Sequence, residues 1–194
     1  MDSVKTLIGP CSSAWPCFAL LAARTARAAV RAFADACQLA LSCLTLSQFN
    51  VEGYRPIDFP YRADLQRGQS VPLADAELAL VVVLRYRIVE KDATRWTVHV
   101  AGYHYELQRR DGRELVAYHW HPQGAGPVTW PHIHLGPAIG DLWRPATRAH
   151  FPTGQVTIED MVRLAIREFG VTPRRSDWDA VLQRTRVARD EPVP

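Results

Sequence analysis

The chain has 194 residues, 47% of them hydrophobic and 22% charged, with a formal net charge of +3. That length suits one domain, or one domain with an extension, and is enough to bury a core, while the composition excludes a disordered chain. So small a net charge is no argument for nucleic-acid binding, and no apolar run reaches the about 18 residues of a membrane span.

Residues 1–50 are rich in Ala, Leu, Ser and Cys and contain neither tyrosine nor histidine. All four cysteines, Cys11, Cys17, Cys37 and Cys43, fall here. Their spacing matches no common zinc pattern, so they read as free or buried thiols of a cytoplasmic protein. Ala14 to Ala23 meets only part of the signal-peptide rule, because Lys5 is its one upstream lysine and Pro10 and Pro16 interrupt it. From Ala22 to Leu46 the spacing predicts a helix, with Arg24, Arg27 and Arg31 on one face and Val30, Phe33, Cys37 and Leu41 on another. This segment is expected to be a helical extension, serving as a docking helix, a packing helix or a poorly ordered tail. A start further downstream would also explain its composition. Residues 51–76 carry Pro56, Pro60, Pro72, Gly53 and Gly68 and read as a linker to a single domain over 77–187.

Strands are expected next. Leu78, Leu80, Val82, Leu84, Tyr86 and Ile88 alternate with a second, more polar set, which predicts a strand over Leu78–Val89. In Trp96–Leu107 the apolar parity shifts from even to odd positions at Gly102, where a bulge or bend is expected. Asp111-Gly112 signals a two-residue type I′ hairpin. That turn makes opposed residue numbers sum to 223 and fixes the register of the next strand, Glu114–His121. Tyr103, Tyr105 and Leu107 then face Trp120, Tyr118 and Val116 on a core side. His104 faces His119, Gly102 faces His121 and Glu106 faces Ala117 on the other side. After a Gly/Pro-rich loop, His132–Leu135 resumes a short strand. Two helices close the chain: one capped by Thr157 with Asp160 and ended by Gly170, the second capped by Ser176 with Asp179. The expected class is α+β: an antiparallel meander of about four strands followed by two C-terminal helices.

The chemistry lies in the histidines. His119, His121, His132 and His134, four of the seven, fall within sixteen residues. Residues two apart in a strand point to one face, so each His-x-His pair aims two imidazoles the same way. Imidazole titrates near neutral pH and ligates metals. One expectation is therefore acid–base catalysis without metal by His119, His121, His132 and His134, with His104, Arg144 and Arg148 holding a phosphate. The alternative is a zinc or other divalent-metal site of the same four histidines with Glu106, in a non-catalytic metal-binding or protein-interaction domain. A third is that the histidines are merely hydrogen-bonded residues of a covered sheet. The aromatic set Tyr103, Tyr105, Tyr118 and Trp120 reads as core rather than as a base-stacking platform. The arginines of the hairpin tip, Arg109, Arg110 and Arg113, read as solvated charge. No Gly-rich phosphate loop, no G-x-S-x-G and no cysteine near the histidines points to a nucleotide hydrolase, serine esterase or thiol enzyme.

From Leu84 to Phe169 the chain resembles the TumE-like toxin components of bacterial toxin–antitoxin modules. The likeness lies in Tyr103-His104-Tyr105 running into Asp111-Gly112, in Tyr118 followed by His121-Pro122, and in Pro131-His132-Ile133-His134 followed by a helix opened at Thr157. The resemblance implies a small cytoplasmic toxin, a ribonuclease with RNA as target, neutralised by a helix-turn-helix antitoxin partner.

Overall fold

Helix α1 (Ala26–Leu41) begins where Thr25 Oγ1 accepts a hydrogen bond from Ala28 N at 3.2 Å. It is shorter at both ends than the expected Ala22–Leu46, and its faces divide as expected. Arg24, Arg27 and Arg31 are exposed, while Val30, Phe33, Cys37 and Leu41 are fully buried. The computed structural model describes residues 23–74, 77–124, 126–140 and 149–187. Cys11, Cys17 and the region from Ala14 to Leu21 lie outside them.

The strands are β1 (Phe49–Val51), β2 (Tyr61–Leu65), β3 (Val71–Pro72), β4 (Leu78–Asp92), β5 (Arg95–Arg109), β6 (Glu114–Trp120), β7 (His132–Leu135) and β8 (Phe151–Pro152). They form one antiparallel sheet in the order β1-β2-β4-β5-β6-β7-β8, with β3 also paired to β4. The class is α+β, with eight strands among the described residues rather than about four. Of the four unforeseen strands, β1, β3 and β8 are two or three residues long, too short for alternation to mark them, whereas in β2 Tyr61, Ala63 and Leu65 do alternate with Arg62 and Asp64, a signal set among the prolines and glycines that read as a linker. Helices α2 (Ile158–Arg167) and α3 (Trp178–Val187) follow. A reciprocal capping box of Thr157 and Asp160 opens α2. The second helix starts one residue later than a Ser176 cap requires, and Val181 N bonds to Asp177 O at 3.0 Å.

All three helices share one hydrophobic core with a single face of the sheet. Phe33 of α1 lies 5.5 Å, ring to ring, from Tyr86 of β4. Leu80, Val82, Leu84, Tyr105 and Leu107 join Met161 and Val162 of α2 and Val181 and Leu182 of α3. Tyr103 stacks on Tyr105 at 4.8 Å, and its hydroxyl accepts a hydrogen bond from Val156 N at 3.0 Å, tying the sheet to the entry of α2. The strand face opposite is left for other purposes.

Two irregularities set the register on that opposite face. Arg85 pairs with Gly102 and Tyr86 with Val100, so Ala101 is an extra residue and the parity shift expected at Gly102 is a bulge beside it. The second is at the hairpin. Arg109 N bonds to Arg113 O and Gly112 N to Arg109 O, with Gly112 at φ +84°. This is a three-residue loop whose glycine occupies the left-handed position, not the expected two-residue turn. Gln108 then pairs with Glu114, but Leu107 pairs with Val116, so Leu115 is extra. The bulge at Leu115 compensates for the longer loop, and the expected pairs Tyr103–Trp120, His104–His119, Tyr105–Tyr118 and Glu106–Ala117 all form.

Candidate functional site

The face turned away from the helices carries the histidines. Pairing of β5 with β6 sets His104 opposite His119, and pairing of β6 with β7 sets His119 opposite His132 and Ala117 opposite His134. Ala117 is a fully buried small residue here, which leaves room for His134 to lean toward His119. His119 thus sits at the centre, with ring centroids of His104, His134, His121 and His132 at 4.5, 4.7, 5.4 and 5.5 Å. His150, just before β8, completes the group at 4.6 Å from His134 and 5.0 Å from His132. His132 and His134 are 4.9 Å apart. Six of the seven histidines therefore form one continuous patch. The seventh, His99, pairs with Arg87 further along the strands.

Gly102 permits the close approach of strands at the edge of this patch. A Cβ there would come within 2.8 Å of Trp120 O and 3.7 Å of Arg85 Cβ and Pro122 Cδ. A side chain at this position would wedge β5 from β6 where His104 and His121 stand.

Two of the rings are oriented by a partner outside the cluster. His104 Nε2 and Glu106 Oε2 are 3.1 Å apart, and His132 Nδ1 lies 2.8 Å from the Trp130 carbonyl oxygen. A nitrogen that donates its proton to a carboxylate or a carbonyl leaves the other nitrogen of the same neutral ring with its lone pair exposed, the arrangement that steadies metal-ligating histidines. Glu106, expected as a metal ligand in the alternative reading, here faces His104. His119 Nε2 is buried without a hydrogen-bond partner.

The electrostatics follow from crowding. Burial, joined by repulsion from His104, His134, His121 and His132, pushes the His119 pKa down to about 3. His121 is lowered by burial, by His104 and His132, and by the Arg85 guanidinium. Burial together with His150, His132 and His104 lowers His134. At neutral pH these three rings are neutral and their lone pairs are available. Within the cluster two trios bring three ligand nitrogens within 4.8 Å of one another: His104, His119 and His121, and His119, His132 and His134. Tetrahedral bonds of about 2.0–2.1 Å to zinc place nitrogens about 3.3 Å apart, so the rings need to turn inward by roughly an ångström or more.

All five histidines singled out from the sequence, His104, His119, His121, His132 and His134, are brought together. His150 is the further member. The sequence offers it only together with Arg144 and Arg148, in an irregular segment that could line the cleft, sixteen residues beyond His134, and the pairing of β8 with β7 sets it beside His132 and His134. Arg144 and Arg148, the expected phosphate holders, lie outside the described residues. No family model, curated protein or solved structure matches the chain. Among the described residues no helix is long and apolar enough to cross a membrane.

Proposed function

We propose that this protein is a transition-metal-binding domain whose centre is the histidine face of its sheet. The observation that carries the reading is His119: a buried Nε2 with no hydrogen-bond partner, in ring contact with four other imidazoles. A buried polar atom is ordinarily satisfied, and leaving it bare costs about 1–3 kcal/mol. A cation bound by that lone pair removes the penalty. Imidazole-rich sets suit zinc, copper, nickel and iron, whereas magnesium and calcium favour oxygen ligands. His119, His132 and His134, with His150 beside them, are the more enclosed set, and His132 is only 3% exposed. The test is elemental analysis of the purified protein, followed by titration of chelator-treated protein with nickel or zinc. Binding at no less than one ion per chain, weakened more than tenfold in His119→Ala and unchanged in His99→Ala, is expected. Wild-type protein that takes up no ion would end the reading.

A second reading is the toxin-like ribonuclease, with RNA as substrate and a helix-turn-helix antitoxin as partner. One observation favours it. The His104–Glu106 pair is a carboxylate-backed imidazole, the form of a general base. His104, expected from the sequence to hold phosphate, would here take a proton alongside His119, His121, His132 and His134, and Arg144 and Arg148 would hold the phosphate. Cleavage of RNA in excess chelator, lost in His119→Ala and His134→Ala, would select this reading over the metal centre.

A further inference from the structure

We infer that the six imidazoles hold two metal ions, three to each ion, as a dinuclear centre; the inference rests on the metal-binding reading above. The rings divide by geometry. His104, His119 and His121 stand together on β5 and β6, with His119 at 4.5 and 5.4 Å from its two companions. The rings of His132, His134 and His150 form a closed triangle on the β7–β8 side, with centroid-to-centroid edges of 4.6, 4.9 and 5.0 Å; because the ligand nitrogens already within 4.8 Å there are those of His119, His132 and His134, the exposed His150 ring must turn inward to take the third place on this ion. The shortest link between the two groups is His119 to His134 at 4.7 Å.

A neutral imidazole offers one lone pair, so His119 serves one ion at a time. A single ion on His119, His132, His134 and His150 would be a closed tetrahedral site of the structural kind. It would leave His104 and His121 with nothing to bind, although His104 is already oriented by Glu106 in the manner of a ligand. The division into threes uses every ring and gives each group one ring steadied from outside, His104 by Glu106 and His132 by the Trp130 carbonyl. Three protein nitrogens leave a divalent ion an open position, as in catalytic rather than structural sites. Two-metal sites set their ions about 3.5–4 Å apart and clamp a ligand between them. Because the His119 and His134 rings are 4.7 Å apart, ions held by the two trios would be neighbours. The ligand they suit is a small bridging oxygen donor, a hydroxide or an oxygen of a phosphoryl or carboxylate group. Part of the charge of two divalent ions is met on the same face by Glu106 and by Glu114, which pairs with Gln108.

The experiment is copper(II) loading of the full chain, with stoichiometry from elemental analysis after dialysis and spin count from electron paramagnetic resonance. His121 and His150 are both exposed, so His121→Ala and His150→Ala remove one ring from each trio with little effect on folding, checked by circular dichroism. Should either variant fold poorly, the glutamine replacement stands in. Two ions per wild-type chain are expected, with a spin count well below two because neighbouring ions couple. Each variant should hold one ion with a full, uncoupled spin, and His99→Ala should still hold two. One ion per wild-type chain at saturation, or two ions retained in both variants, would overturn the dinuclear centre while leaving a single-ion site intact. No ion at all overturns both readings.

Discussion

His119 concentrates the electrostatics of the site in one ring. In the unfolded chain its imidazole titrates near the ordinary 6.5, whereas in the fold burial and four neighbouring rings push it down to about 3. Between those values the unfolded state binds a proton that the folded state does not. Stability therefore rises with pH across that window, and acidification from about 6.5 towards 3 removes it; above 6.5 both states are neutral and this ring contributes no pH dependence. His121 and His134, lowered as well, add to the loss in the same direction below 6.5. Chelator-treated wild-type protein should accordingly lose melting temperature steeply on acidification, and His119→Gln should follow a shallower curve over the same interval. Identical curves for the two proteins would mean that His119 is protonated in the fold as readily as in water.

At the scale of elements, α2 is held at its entry by side chains rather than by length. Thr157 Oγ1 accepts from Asp160 N at 3.2 Å, and Asp160 Oδ2 accepts from Thr157 N at 3.1 Å. Removing such a cap costs about 1 kcal/mol. Arg186 of α3 also holds Asp160, at 2.5 Å, so part of the junction survives the loss of the hydroxyl. Thr157→Ala should lower the urea midpoint by the equivalent of about 1 kcal/mol with no change in the slope of the transition; a changed slope would mean that the helix had left the core. The elements legible in the sequence are those with a repeated pattern: the long β4, the hairpin that pairs His104 with His119, and α2 with its capping box. Alternation over many residues leaves one choice of face, and Thr157 with Asp160 leaves one helix start. The strands at 49–51, 71–72 and 151–152 were not legible, because two or three residues carry no period and their pairing is decided by β2, β4 and β7; the strand at 61–65 does alternate, but Pro56, Pro60 and Gly68 around it read as a linker. His150 could be offered as a lining of the cleft but not tied to the four histidines, because β8 is too short to carry a period. Its place in the cluster depends on β8, whose second residue is a proline and whose first, Phe151, is exposed at the sheet edge. The hairpin is instructive in another way. Its loop is one residue longer than Asp111-Gly112 suggested, yet the face assignment survives because Leu115 bulges out of the pairing.

At the scale of the whole molecule, one sheet separates two environments. The helices cover one face with Phe33, Met161, Val162, Val181 and Leu182, all buried. The other face holds six imidazoles in an arrangement that gains little from hydrophobic packing and leaves His119 Nε2 bare. The first environment fixes the second, because the strands whose odd positions anchor Tyr103, Tyr105 and Leu107 in the core can only send His104 outward, and His119 follows from its pairing. The pairing of the strands thus places the histidines on one face, and on the metal-binding reading proposed above an ion bound there would stabilise the fold by mass action. A ligand with no affinity for the unfolded chain contributes about 2.7 kcal/mol at a concentration one hundred times its Kd. For a chain of this size each kcal/mol moves the melting temperature by roughly 2–4 °C. Nickel or zinc at that excess should raise the melting temperature by roughly 5–10 °C. Excess chelator should reverse the rise, and it should be absent in a variant carrying both His119→Ala and His134→Ala. A scan in which the metal leaves wild type unmoved, or raises the double variant equally, would place any bound ion away from the sheet.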